Sequence, residues 1–147
     1  MSEPEKGAEG AEGGAKPLVG IVLVSHSREV ADSVARLAAG LAGVHEAPVT
    51  GAGGTPDGGL GTSAELISAA AERVDSGAGV AVLVDLGSAV LTVKALLAEG
   101  DELPAHTRLV DAPLVEGAAS AVVAASGGAD LDAVAAAAGE AYDYRKG

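Results

Sequence analysis

The run Leu18-Val-Gly-Ile-Val-Leu-Val24 constrains this chain more than any other stretch. It is short, β-branched and unbroken by a polar residue, so it reads as a strand buried on both faces. Such strands belong in parallel sheets covered by helices above and below. Val80-Ala-Val-Leu-Val84 has the same character. A chain of 147 residues holding two of them is long enough for one α/β domain with a sizeable core. That core is unusual in content. Hydrophobic residues make up 48% of the chain, but there is no Phe or Trp, and only Tyr142 and Tyr144 are aromatic. Small side chains suit helices lying tightly on a sheet.

The remaining segments alternate in type. Residues 1–17 contain only small and charged residues apart from Met1, with Gly and Pro, and read as a disordered acidic, glycine-rich leader to a domain spanning 18–147. After Ser27, the positions Val30, Val34, Leu37 and Leu41 form the apolar face of a helix ending at Gly43. Val44 to Thr50 reads as a weaker extended segment interrupted by Pro48, which suggests an edge strand or an early strand end. Gly51 to Gly61 reads as a long glycine-rich loop, and Thr62 with Glu65 as a capping box for a helix facing inward through Leu66, Ile67, Ala70 and Val74. Gly77 and Gly79 close it before the strand 80–84. A helix from about Ala89 to Glu99, turning Val90, Val93, Leu96 and Leu97 inward, precedes a strand at Arg108 to Val110. Pro113 opens a further helix to about Ser126, and Asp130 caps a last one. The repeated pattern predicts an α/β fold: an open, mainly parallel β-sheet flanked by helices in three α/β/α layers.

Several function classes are excluded. A net charge of −12 and the lack of aromatic stacking residues argue against nucleic acid and favour partners carrying positive charge. Without cysteine there is no disulfide, thiol catalysis or Cys-ligated metal. No apolar stretch is long enough for a bilayer, and no signal-peptide core opens the chain, so the default location is cytoplasmic with no membrane partner. Gly51-x-Gly53 is followed by Pro56 where a dinucleotide fingerprint needs glycine, and there is no Gly-Lys-Ser/Thr or Gly-x-Ser-x-Gly. His26, His45 and His106 lack metal-ligand spacing, so no metal is expected, and the last two read as bystanders.

His26 is different. It lies between Ser25 and Ser27 at the carboxyl end of the first buried strand, where ligands collect in open α/β sheets. The third strand ends in Asp85-Leu86-Gly87-Ser88. If the two most apolar strands are adjacent, Asp85 faces His26 across the sheet edge. A carboxylate on one ring nitrogen fixes the tautomer and leaves the other free to attack. Hydroxyls of Ser25, Thr62, Ser63 and Ser88 and helix-start amides suit phosphate oxygens. The plainer readings are a structural histidine, an Asp85 that merely caps a helix, and a Thr62 and Glu65 that do the same.

Taken together, Val22-Leu-Val-Ser-His-Ser27, Gly61-Thr-Ser-Ala-Glu65 and Val84-Asp-Leu-Gly-Ser-Ala89 resemble the phosphocarrier subunits of phosphoenolpyruvate-dependent dihydroxyacetone kinase, the DhaM branch of the EIIA-mannose family of the phosphotransferase system. The resemblance runs from Leu18 to about Ala141. It implies a phosphotransferase, a phosphoenolpyruvate–glycerone phosphotransferase subunit, with His26 as phosphohistidine nucleophile and Asp85 orienting it. It also implies Ser25, Ser27, Gly61, Thr62, Ser63, Gly87 and Ser88 as phosphate-site neighbours, with no cofactor. The implied donor is phospho-HPr. The implied acceptor is ADP on the DhaL subunit, which works with DhaK, and the implied assembly is a homodimer. The alternatives are an EIIA component of mannose-type sugar uptake, an anion- or nucleotide-binding regulatory module, and a purely structural subunit.

Overall fold

The computed structural model describes residues 16–44 and 46–147. The expected leader falls almost wholly on residues outside that range, as does His45. Four strands, β1 (Gly20–Ser25), β2 (Val49–Gly53), β3 (Val80–Val84) and β4 (Thr107–Leu109), form a parallel sheet in the order β2-β1-β3-β4. Five helices follow the strands: α1 (Arg28–Ala42), α2 (Ala64–Val74), α3 (Gly87–Glu99), α4 (Leu114–Ser126) and α5 (Leu131–Gly139), with a 3-10 turn at Glu140–Asp143.

Strand alternation sends side chains to two cores. Ile21, Leu23, Ala81 and Leu83 pack under α1, α4 and α5, while Val22, Val24, Val80 and Val82 pack under α2 and α3. This is why β1 and β3 are apolar at nearly every position, and each fully buried Leu or Ile there contributes about 1.5–3 kcal/mol. The α/β/α layering follows, with β1 and β3 adjacent and central.

Two expectations need correction. The second strand is an edge strand, but it begins after Pro48 rather than at Val44 and takes in Gly51-Ala52-Gly53, which read as loop. These glycines are strand residues because α1 touches their backbone. A Cβ on Gly53 would stand 2.3 Å from the Ser27 carbonyl oxygen, and one on Gly51 2.8 Å from the Ala31 carbonyl carbon. That approach also overturns the expected face of α1. Its buried residues are Ala31, Val34, Ala35 and Ala38, while Leu37 and Leu41 remain 47% and 63% exposed, with Val30 beside them. Three of these four are alanines, because small side chains are what a helix and a strand so close together accommodate.

Smaller shifts occur at helix ends. α2 is capped by Ser63, not Thr62, through the Leu66 amide donating to Ser63 Oγ at 3.2 Å. α3 starts two residues early, and β4 is displaced by one residue. Val90 and Leu97 are only partly buried, and Ala89 joins Val93 and Leu96 inside. Asp130 does cap α5, accepting from the Ala133 amide at 2.9 Å.

The topology locates a crevice. α1 leaves β1 towards one face of the sheet, and α3 leaves β3 towards the other. Adjacent strands whose helices diverge open a gap at their carboxyl ends. His26 and Asp85 are the first residues beyond β1 and β3.

Candidate functional site

Asp85 organises the site. One carboxylate oxygen, Oδ2, accepts from the Ser25 hydroxyl and the His26 amide, both at 2.9 Å. The other, Oδ1, accepts from the Leu86 amide at 2.7 Å and lies 3.0 Å from His26 Nδ1. Burial pushes this carboxyl up, but the His26 amide and ring, the Ser25 hydroxyl and the Leu86 amide outweigh it and hold the group below its ordinary value. An ionised carboxylate only accepts, so Nδ1 carries the hydrogen and the lone pair is on Nε2. Nε2 in turn is 2.6 Å from Ser88 Oγ, which donates to it.

The result is an imidazole of fixed tautomer with its basic nitrogen turned outwards. The His26 side chain is 26% exposed and that of Asp85 17%. A partner can therefore reach the ring while the carboxylate stays behind it. Asp85 is not an N-cap of α3. The cap position is Leu86, and no side chain bonds the first amides of that helix. The Gly87 and Ser88 amides and the positive end of α3 are available to an anion on Nε2, while the Ala89 amide is taken by the Leu86 carbonyl at 3.0 Å.

The other predicted residues divide by role. Ser25 is fully buried, and its hydroxyl is engaged with Asp85 and with the Ser27 amide at 3.1 Å. Ser27 caps α1 at Val30, and Ser63 caps α2. Gly61 donates its amide to the His26 carbonyl at 2.9 Å with φ of 141°, a conformation that favours glycine. Gly54 binds the Ser25 carbonyl at 3.1 Å, so both ends of the glycine-rich loop are tied to the histidine strand. Thr62 lies 2.9 Å from Thr92 in α3, and Thr92 reaches the Ser88 carbonyl at 3.4 Å. Sequence reasoning passed over Thr92, whose one signal is its place a helical turn beyond Ser88. Gly87 opens α3 and is exposed. His106 is exposed, with φ of 63°, near the start of β4 and away from this edge.

A fixed tautomer, an outward lone pair, a carboxylate to balance charge on the ring and free amides beside it are what transient attachment of a phosphoryl group requires. Comparison with known proteins bears on this geometry. A model of the EIIA-man family, described as PTS system fructose IIA component, matches residues 20–135. The phosphoryl donor subunit DhaM of PEP-dependent dihydroxyacetone kinase 2 from Listeria innocua is 37% identical over 109 residues, covering 72% of this chain and 85% of the relative. DhaM subunits from Providencia stuartii and Escherichia coli are 36% and 38% identical over 120 residues, 80% of this chain. The chain spans about a quarter of the length of those two relatives, 25% in each case. Among solved structures, EF1359, a protein of unknown function, superposes with a TM-score of 0.73 at 33% identity, over 88% of this chain and 98% of that one. A sigma-54 interaction domain protein from Enterococcus faecalis shares the fold, with a TM-score of 0.65 at 18% identity over 88% of this chain and 93% of that one.

Proposed function

The chain belongs to the EIIA-man family, and from that premise we propose that it is a phosphoryl carrier serving a dihydroxyacetone kinase, loaded on His26 and unloaded to a kinase subunit. The observation that carries the reading is the His26 ring held by Asp85 at Nδ1, with Nε2 facing out. In this reading the donor is phospho-HPr. The Nε2 lone pair attacks the donor phosphorus in line as the donor's P–N bond breaks and its imidazole leaves with the electron pair. Nδ1 keeps its hydrogen throughout, bonded to Asp85, whose charge balances the ring. The Ser88 hydroxyl turns from Nε2 to a phosphoryl oxygen, and the first amides of α3 receive another. Positioning and charge stabilisation are what phosphoryl transfer mainly asks of a protein. The phosphoryl group then passes to ADP held on DhaL, which phosphorylates dihydroxyacetone on DhaK.

The rest of the reading follows from the family. The chain works in the cytoplasm as a homodimer. The apolar residues that α1 leaves at the surface, Val30, Leu37 and Leu41, are ones a second subunit would cover. No described helix is long and apolar enough to cross a membrane.

Incubation with phosphoenolpyruvate, enzyme I and HPr tests the assignment. Wild type should gain one phosphoryl group by mass and lose it to ADP-loaded DhaL. His26→Ala should gain none. Normal labelling of that variant, or no labelling of wild type, overturns the reading. Discharge to a sugar-transport component and not to DhaL would assign the chain to the sugar-uptake branch.

A further inference from the structure

β3 has a second crevice on its other side. α3 leaves β3 towards one face of the sheet, and α4 leaves the neighbouring β4 towards the opposite face. The same divergence that opens the His26 site therefore recurs one strand over. The gap is a cleft of about 590 Å³ between the turn Asp85-Leu86-Gly87 and the segment from Leu109 to Leu114. That size is usual for small-molecule sites. A carrier exchanging phosphate between two proteins needs no such cleft, so the proposed function leaves it unexplained.

Its lining indicates a ligand class. Val84, Val90 and Leu109 give apolar walls, and Lys94 brings an ammonium group that makes no ion pair among the described residues. The first turn of α4 opens here without a side-chain cap, whereas α1, α2 and α5 are capped by Ser27, Ser63 and Asp130. Lys94 and the uncapped start of α4 favour an anion. Opposite them, Asp111 Oδ1 accepts from the Tyr142 hydroxyl at 2.7 Å, and its other oxygen, exposed and without a protein donor among the described residues, is open to a ligand hydroxyl. We propose that this cleft binds a small hydroxylated anion, its phosphate or carboxylate on Lys94 and a hydroxyl on Asp111. The wall it would touch is the turn that carries Asp85, the residue holding His26.

Isothermal titration of the whole chain with glycerol 3-phosphate, inorganic phosphate and glycerol tests the proposal. Saturable binding of glycerol 3-phosphate is expected, at least about tenfold tighter than either fragment. Lys94→Met should weaken it about tenfold, Val90→Trp should abolish it by filling the cleft, and His26→Ala should leave it unchanged. The surface position of Lys94 keeps the test informative if Val90→Trp does not fold. Absence of saturation, equal binding of phosphate alone, undiminished binding by Lys94→Met, or loss in His26→Ala overturns the proposal. The His26→Ala arm is independent of whether the chain carries phosphate.

Discussion

Asp85→Asn is nearly isosteric, yet it replaces one acceptor oxygen with a group that only donates. Two placements of the amide are open to it. With nitrogen in place of Oδ2, the Ser25 hydroxyl can rotate, but the His26 amide, 2.9 Å away, loses its acceptor. With nitrogen in place of Oδ1, the Leu86 amide at 2.7 Å is stranded. The ring must then accept at Nδ1, which transfers its hydrogen to Nε2 and removes the nucleophilic lone pair. Orphaning the part-buried His26 amide costs about 1–3 kcal/mol, an upper bound for the second placement, whose exposed Leu86 amide can turn to water. For a domain of this size that lowers Tm by roughly 3–12 °C. Transfer suffers more. One arrangement has no nucleophile, and the other lacks the charge that balances an imidazolium, so single-turnover phosphorylation by phospho-HPr should slow about 10²–10⁴-fold. Rapid-quench measurement of that rate, with urea melts alongside, checks both numbers. A rate within about threefold of wild type, under 1 kcal/mol of barrier, would refute the role given to the carboxylate. The pH dependence has a definite sign. Asp85 is held below its ordinary value when folded. Its stabilising contribution is therefore complete above the unfolded-state value of about 3.9 and is lost as pH falls towards the folded one. The part of the stability gap between wild type and Asp85→Asn that comes from the ionised carboxylate should close below about pH 4.

Two further outcomes test the packing. Gly53→Ala forces a Cβ against the Ser27 carbonyl and Arg28 Cα, both backbone atoms. It should cost about 1–3 kcal/mol in urea melts and slow His26 labelling, and full stability would mean that α1 moves freely off the sheet. Ser63→Ala should cost about 1 kcal/mol and lower hydrogen-exchange protection at the Leu66 amide, whereas Thr62→Ala should leave that amide protected; the reverse would restore Thr62 as the cap.

What could be read from the residues alone depended on how many faces each element buries. β1 and β3 were legible because a strand buried on both faces must be apolar throughout, and their adjacency brings His26 and Asp85 to one edge as expected. β2 was obscured because Gly51 and Gly53 carry no side chain to show periodicity. Their identity is set by contact with α1, a tertiary fact. The same contact misdirected the reading of α1, where the largest apolar residues were taken as the inward face. Thr62 and Ser63 are both good caps one position apart, and only backbone geometry chooses between them. Ser88 was visible as part of a motif. That its hydroxyl sits on Nε2, and that Thr92 steadies the same turn of α3, depends on the rotation of a helix about its axis, which the sequence does not encode locally.

The contact at Gly53 also bears on how this protein can vary. Every single-base change in a glycine codon that alters the residue adds at least a Cβ, so no mutational step from Gly53 avoids the Ser27 carbonyl. Ser27 is the neighbour of His26, so drift at this position would be registered first as a displaced imidazole. Variation in rim shape is instead open to Pro56 and Asp57, which are exposed, while Gly58 beside them holds φ of 91° and favours glycine. The aim of Nε2 is thus guarded by a residue with no side chain of its own, while new docking shapes can be tried a few residues further along the chain.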